Sequence, residues 1–403
     1  MKKKYFEKII LFILSLPFFI LVKLIKPIFL IRFREIPSER IGHFAIETEL
    51  YLCEKNNKLR KNTKTHIDIF FVGKNISNKY LLKLYKKKII ILPRNLVLPI
   101  NSLCNLFARF FKIENPHIVE ANKAFNFDCN NLIDKSPVYL KFNENENENG
   151  KKIMEQMKIP LDKKIVALFL RDEAYLKKTF PGKDFSYHKF RNYKIEKFLP
   201  AIKALIDKDY YVIRMGKYVE EKFPLKNQNF LDYPFCRHKS DFMDLYLINR
   251  SSFCISTGTG LQEIAHLFRK HLVEFSSHFN RLPLFSKKIL TLSKKMFWKK
   301  NKKMLTISEI ISSGAINFNT IEEYKEKGID IVDNNENEIK DVILEMTLKV
   351  NADNYYTNND FELQNQFKKL YPSNLLYRGV KIHGELRSNY SIDFLRNNQS
   401  WIS

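Results

Sequence analysis

Short apolar runs and stretches with helical spacing alternate along this 403-residue chain. That alternation is the pattern of strands exchanging with amphipathic helices. After an apolar leader, Ile28-Phe-Leu-Ile-Arg-Phe33 predicts a first strand and Phe44 to Lys55 a helix. His66 to Val72, ended by Gly73, predicts a second strand, and Lys79 to Lys87 a helix. Ile89 to Leu92 predicts a third strand, stopped by Pro93, and Leu96 to Phe111 another helix. Strands separated by helices argue for a parallel sheet covered by helices.

Asn143 to Gly150 is an Asn/Glu repeat closed by glycine, which reads as a linker. Beyond it the alternation restarts. Ile165 to Leu170, Tyr210 to Arg214, Phe253 to Ile255 and His271 to Phe275 read as strands. Ile195 to Ile206, Phe242 to Ile248 and Ile339 to Lys349 read as helices. A chain of this length is expected to hold two domains. The boundaries expected are a leader over 1–27, a first Rossmann-like domain over 28–142, a linker over 143–160, a second Rossmann-like domain over 161–350 and a helical tail over 351–403. The fold class expected is α/β, with two Rossmann-like domains facing a cleft, preceded by an apolar helix.

The leader is basic at Met1 to Tyr5, apolar from Ile9 to Val22, and basic again at Lys23 and Lys26. Its apolar run is shorter than the ~20 residues that span a bilayer. Lysines on both sides give no clear orientation, and no small-residue cleavage site follows. The reading is a helix in the membrane interface with lysines on acidic head groups. A single tilted span and a core-docked helix are the alternatives.

Charge narrows the class of partner. The net charge is +25, from 69 Lys+Arg against 44 Asp+Glu, which favours anionic partners without choosing among them. Cys53, Cys104, Cys129, Cys236 and Cys254 show no paired or zinc-like spacing and read as free thiols in a reducing compartment.

The candidate chemistry sits after the strands of the second half. Ser252 to His266 reads as strand, turn and helix, with Ser256, Thr257, Gly258, Thr259 and Gly260 forming the turn. Backbone N–H groups there, at a helix start, would suit a phosphate. A tight turn with no ligand is the plain alternative. Arg171-Asp172 follows the first strand of this half, and Arg214-Met-Gly216-Lys217 the next. In a doubly wound sheet these points share one edge, and guanidiniums bind phosphates bidentately. Arg171 paired locally with Asp172 or Glu173 is the plain reading. Glu263 is a candidate partner for a ribose diol, or simply an acid in a first helical turn.

In the first half, Arg40-Ile-Gly-His43 opens a helix, and His43 is the candidate general base. Glu47 and Glu49 are alternatives. Asp207-Lys-Asp209 reads as a turn, and Asp241-Phe-Met-Asp244 as a helix start. No His/Glu cluster suggests a metal, and no Walker-type loop or nucleophile elbow is present. The Lys287 to Lys303 tract, with Phe297 and Trp298, is either a contact for membrane or acidic acceptor or a solvated loop.

Several stretches together carry a family likeness. They are Arg40-Ile-Gly-His43, Leu170-Arg-Asp172, Arg191-Asn192, Tyr211-Val-Ile-Arg-Met-Gly216, Ser240 to Leu247, Ser256-Thr-Gly-Thr-Gly260 and Asp333 to Met346. The chain after the leader resembles bacterial glycosyltransferases of surface-polysaccharide loci, which look like GT-B enzymes. Its second half is distantly similar to heptosyltransferases and O-fucosyltransferases. The resemblance implies a nucleotide-sugar donor held by the second domain, a glycan or lipid-linked acceptor on the first, and no catalytic metal or other cofactor. It implies that Arg171 with Asp172 meets the donor diphosphate. Arg214, Gly216, Ser256 to Gly260 and Glu263 complete the expected donor site. One departure limits the carry-over: the usual acid of the heptosyltransferase Asp-Ser-Gly turn is Ser256 or Thr257 here. The expected setting is the cytoplasmic face of the bacterial inner membrane, with no nucleic-acid partner. The rival readings are a nucleotide-sugar epimerase, or a basic membrane-attached protein binding acidic glycan or nucleic acid.

Overall fold

The computed structural model describes residues 2–59, 65–120, 127–182, 184–352, 355–377 and 379–402. The chain divides into two units. The first is Met1–Asn126 with Tyr139–Lys141, and the second is Phe127–Val138 with Phe142–Ser403. The boundary expected near 142 therefore moves: residues 127–138 belong to the second unit.

The first unit runs α1 (Lys2–Ile25), β1 (Leu30–Ile36), α2 (Ile41–Asn56), β2 (His66–Val72), α3 (Lys79–Lys86), β3 (Ile90–Ile91) and α4 (Arg94–Phe110). The strands lie in the order β1-β2-β3, all parallel. Phe44, Leu50 and Cys53 of α2 and Leu81 and Tyr85 of α3 are buried, as is Phe70 of β2. These apolar positions put one face of each helix on the core. Register sets Arg32 beside Asp68, and the two form a buried bidentate pair at 2.6 and 2.8 Å. Burial pushes the Asp68 carboxyl up, but Arg32 and the Tyr51 hydroxyl outweigh it and hold the pKa below its ordinary value. After β3 the chain returns to the other edge of β1, where Ile118 forms an isolated parallel bridge with Phe33, so the order turns back beside β1.

α1 is the apolar leader. Among the described residues no helix is long and apolar enough to cross a membrane.

The second unit opens with α5 (Leu132–Lys135) and α6 (Glu144–Gln156). The Asn/Glu repeat expected to be a linker is thus a helix. Asn143 and Glu146 form a reciprocal capping box, which satisfies two orphan donors of the first turn. Gly150 lets this helix lie against the Tyr246 ring, where a Cβ would come within 2.3 Å. The elements continue as β4 (Lys164–Phe169), α7 (Ala174–Thr179), α8 (Leu199–Asp207), β5 (Tyr210–Arg214), β6 (Phe230–Asp232), α9 (Asp241–Arg250), β7 (Phe253–Ser256), α10 (Gln262–Leu267) and β8 (His271–Ser276). Then come β9 (Ile289–Ser293), β10 (Lys295–Trp298), α11 (Ile307–Ser312), α12 (Ile321–Glu326), β11 (Ile329–Val332), α13 (Glu336–Asn351), α14 (Asn358–Leu370), β12 (Leu376–Tyr377), β13 (Val380–Lys381), β14 (Asn389–Tyr390) and α15 (Ile392–Asn397).

One seven-stranded sheet has the order β14-β9-β8-β7-β4-β5-β6, with every neighbouring pair parallel. Its five inner strands are buried on both faces, as near-continuous apolar runs require. The segment expected to be a helical tail is part of this core. β14 extends the sheet, and Phe367, Tyr390 and Trp401 pack in the main apolar cluster.

Candidate functional site

The sheet order turns back beside β4. β5 and β6 lie on one flank and β7, β8 and β9 on the other. Chain leaving β4 and β7 diverges at their carboxyl ends, and ligands of such sheets bind in that crevice. Register decides which residues meet there. Phe169 pairs with Ser256, so Arg171 and Gly258 each come two residues past the last paired level. The Arg171 backbone N–H donates to Thr257 Oγ1 at 2.8 Å and ties the two strand ends together.

A second guanidinium reaches the same turn. The short 3-10 helix Ser186–Arg191 carries Arg191 to it, and Arg191 Nη2 lies 3.4 Å from the Gly258 carbonyl. Gly258 has φ +79, a conformation glycine adopts without steric cost. The turn also closes on itself. Ser256 Oγ accepts from the N–H groups of Gly258 at 3.2 Å and Thr259 at 3.3 Å, and donates to Gln262 Oε1 at 2.8 Å. These two N–H groups therefore do not face a ligand, contrary to the expectation for the turn. Gly260 is exposed at its rim.

Two carboxylates lie near the turn, Glu274 buried and Glu263 partly buried. Glu274 pairs in register with Ser256, and Glu263 sits in the first turn of α10. Burial, with Glu274 nearby, pushes the Glu263 carboxyl up to about 8. Burial does the same to Glu274, to about 8, against the opposing charge of Arg191. Burial thus favours the protonated form of each. Gln262 Nε2 bridges toward Glu263 Oε1 at 3.4 Å.

Three expected donor-site residues have other surroundings. Arg214 is only 1 % exposed. Its Nη1 donates to the Glu221 carbonyl at 2.7 Å and lies 3.5 Å from Asp232 Oδ2, so it does not face the crevice. Gly216 answers a packing need: a Cβ there would stand 3.0 Å from Val219 Cγ1. Asp172 accepts from Ala174 N–H and Glu220 N–H, both at 3.0 Å, and so clamps the loops after β4 and β5. Burial pushes its carboxyl up, against those bonds. It is placed as a positioning residue and not as a base.

In the first unit, His43 lies in the first turn of α2. Its Nδ1 is 2.9 Å from Glu47 Oε1, and Arg34 Nη2 meets Glu47 Oε2 at 3.2 Å. This is the arrangement of a base oriented by a carboxylate. Glu47, weighed as an alternative base, is the partner of His43; Glu49 is buried.

The remaining motifs serve the fold. Asp209 turns with φ +63 and pairs with Lys163 at 2.8 Å. Ser240 Oγ caps α9 by accepting from Met243 N–H at 3.2 Å. Asp244 is pushed up to about 6 by burial and bonds the Tyr233 hydroxyl at 2.9 Å. The basic tract is largely strand, with Lys294 on Asp333 at 2.6 Å and Lys295 on Glu338 at 2.8 Å. Among the described residues no three His, Cys, Asp or Glu side chains gather as metal ligands do.

Sequence reasoning missed Arg191 and Glu274 as site residues. A short 3-10 helix brings Arg191 in, and no periodicity marks that. Glu274 did carry a signal, an acid inside the apolar strand His271-Leu-Val-Glu-Phe275, because a charge among buried strand residues asks for a reason.

No family model matches the chain, and no curated protein does. Among solved structures, it is similar to the ADP-heptose lipopolysaccharide heptosyltransferase II of E. coli, with 13 % identity and a TM-score of 0.41 over 65 % of this chain and 90 % of that one. It is similar to a family 9 glycosyl transferase of Veillonella parvula, with 10 % identity and a TM-score of 0.46 over 79 % of this chain and 97 % of that one. It is also similar to the E. coli heptosyltransferase WaaC with ADP, at 8 % identity and a TM-score of 0.29 over 74 % and 99 %.

Proposed function

We propose that the chain moves a sugar from a nucleotide-sugar donor to a hydroxyl of a glycan or lipid-linked acceptor, without a catalytic metal. The supporting observation is the crevice where the sheet order turns back. There Arg171 and Arg191 both meet the Thr257–Gly258 turn, one through its backbone and one through its guanidinium.

The chemistry follows from charge. As the acceptor oxygen attacks the sugar carbon, the bond from that carbon to the diphosphate oxygen breaks. The electron pair leaves on the nucleoside diphosphate. Guanidiniums already in place stabilise that charge without solvent reorganisation, and each binds two phosphate oxygens. Glu263, its protonated form favoured by burial, takes a ribose hydroxyl as its partner. The acceptor proton must leave to a base, and within the first unit His43, its ring held by Glu47, has the chemistry of one.

The test is a panel of UDP-, GDP-, CMP-, ADP- and dTDP-sugars incubated with acceptor glycans and excess chelator. The reading expects free nucleotide and an extended glycan with one donor class, and loss of both in Arg171→Ala. An altered nucleotide sugar without glycan product would place the chain among epimerases. Turnover that collapses on chelation would remove the metal-free route.

A further inference from the structure

We infer that the outward face of α1 and the C-terminal end of α4 form one docking surface for an anionic phospholipid membrane, lying in its interface. Both elements belong to the first unit, and the inference stands apart from the sugar-transfer reading.

α1 is apolar on both sides. Its inner side joins a small core: Val22 packs with Phe33, Phe71, Val97 and Cys104, and Phe19 lies against that cluster. At 3.6 residues per turn, Ile10, Ile13, Leu14, Pro17, Leu21 and Leu24 form one stripe on the opposite side. All of these are exposed, Leu24 by 71 %. A soluble helix ordinarily puts polar residues there. Contiguous apolar surface of this kind marks an interaction site.

α4 continues the surface. It packs beside α1, with Phe19 and Phe107 ring centroids 5.9 Å apart. Past that contact Leu106, Phe110, Phe111 and Ile113 stand exposed, Phe110 by 81 %. Exposed Arg109 and Lys112 lie among them. Aromatic and basic residues side by side suit a lipid head-group layer.

Charge selects the occupant. Residues 10–26 and 106–113 hold Lys23, Lys26, Arg109 and Lys112 and no acid. A second copy of so basic a surface would repel itself, whereas acidic lipids attract it. Lys23 lies over the Phe107 ring at 4.5 Å, its stem covering apolar surface. The inner contacts through Val22 and Phe19 hold α1 flat on its unit, which fits an in-plane helix.

Flotation of the full chain with vesicles tests this, using phosphatidylcholine with about 30 % phosphatidylglycerol and phosphatidylcholine alone. Binding to the acidic vesicles is expected, weakening with salt. The double variant Phe110→Ser/Phe111→Ser should lower partitioning by about tenfold with its melting temperature unchanged. Phe110→Trp provides an independent readout, a blue-shifted emission with acidic vesicles that brominated lipids quench. Absence of binding, wild-type binding by the double variant, or no spectral shift at position 110 would each overturn the inference. So would a solution dimer that the double variant dissociates.

Discussion

Two arginines follow neighbouring strands of one parallel sheet, and the structure treats them oppositely. Arg171 stands past the end of β4 at the crevice, while Arg214 is the last residue of β5 and buried against Asp232. Read along the chain they look alike, each a basic residue after an apolar run. Register separates them. Leu168 pairs with Arg214, so Arg214 lies within the paired sheet while Arg171 comes three residues past that level, beyond the end of β4. A difference of three residues decides whether an arginine stands at the crevice or closes a buried ion pair. An arginine at a strand end becomes a ligand candidate only once its level relative to neighbouring strands is known.

The largest expected effect is on stability. Arg214→Ala leaves the Asp232 carboxylate half-buried without its cation and should cost about 3–5 kcal/mol, read as a lowered denaturant midpoint. Arg171→Ala should leave that midpoint within about 0.5 kcal/mol while lowering turnover about 10²–10³-fold. Equal losses of stability in the two variants would erase the distinction drawn here.

The carboxylates under the turn sharpen it next. Glu263 and Glu274 have folded-state pKa values raised to about 8. Both states are protonated at low pH. As pH rises from about 4.5 the unfolded chain releases these protons first. Their contribution is therefore intact below that pH and is lost progressively up to about 8. The slope is at most about 1.4 kcal/mol per pH unit for each group. Urea denaturation from pH 5 to 8 should show the decline, and Glu263→Gln should flatten it; an unchanged slope would contradict the burial of this pair.

The smallest effect concerns the tie between strand ends. Thr257→Val removes the acceptor of the Arg171 N–H and should cost about 1 kcal/mol. It should also raise the KM for donor while Lys217→Ala, on the other flank, changes it less.

Much of this fold was legible in the sequence. β2 and β5 lie where the apolar runs placed them, and α2, α9 and α13 within a few residues. The fold's larger misreadings have one cause: tertiary packing overrides composition. An Asn/Glu repeat looks like a linker, yet its capping box and the Tyr246 ring under Gly150 make it a helix. The last fifty residues look like an appendage, yet Tyr390 and Trp401 complete the core. Residues of the site were legible where one strand and its turn carry them together, as from Ser256 to Glu263. They were not where register or a distant loop decides, as with Arg214, Arg191 and Glu274. The His43–Glu47 pair was half legible: the sequence set His43 just ahead of the helix that carries Glu47, but only the structure places His43 in its first turn, 2.9 Å from Glu47.

The most direct test is calorimetric titration of the full chain with UDP, GDP, CDP, CMP, ADP and dTDP under chelator, repeated with Arg171→Ala and Arg191→Ala. The account predicts that one nucleotide binds without metal and that each variant weakens it by at least about tenfold while remaining folded. A nucleotide bound equally by wild type and both variants would show that the crevice between β4 and β7 is not the donor site.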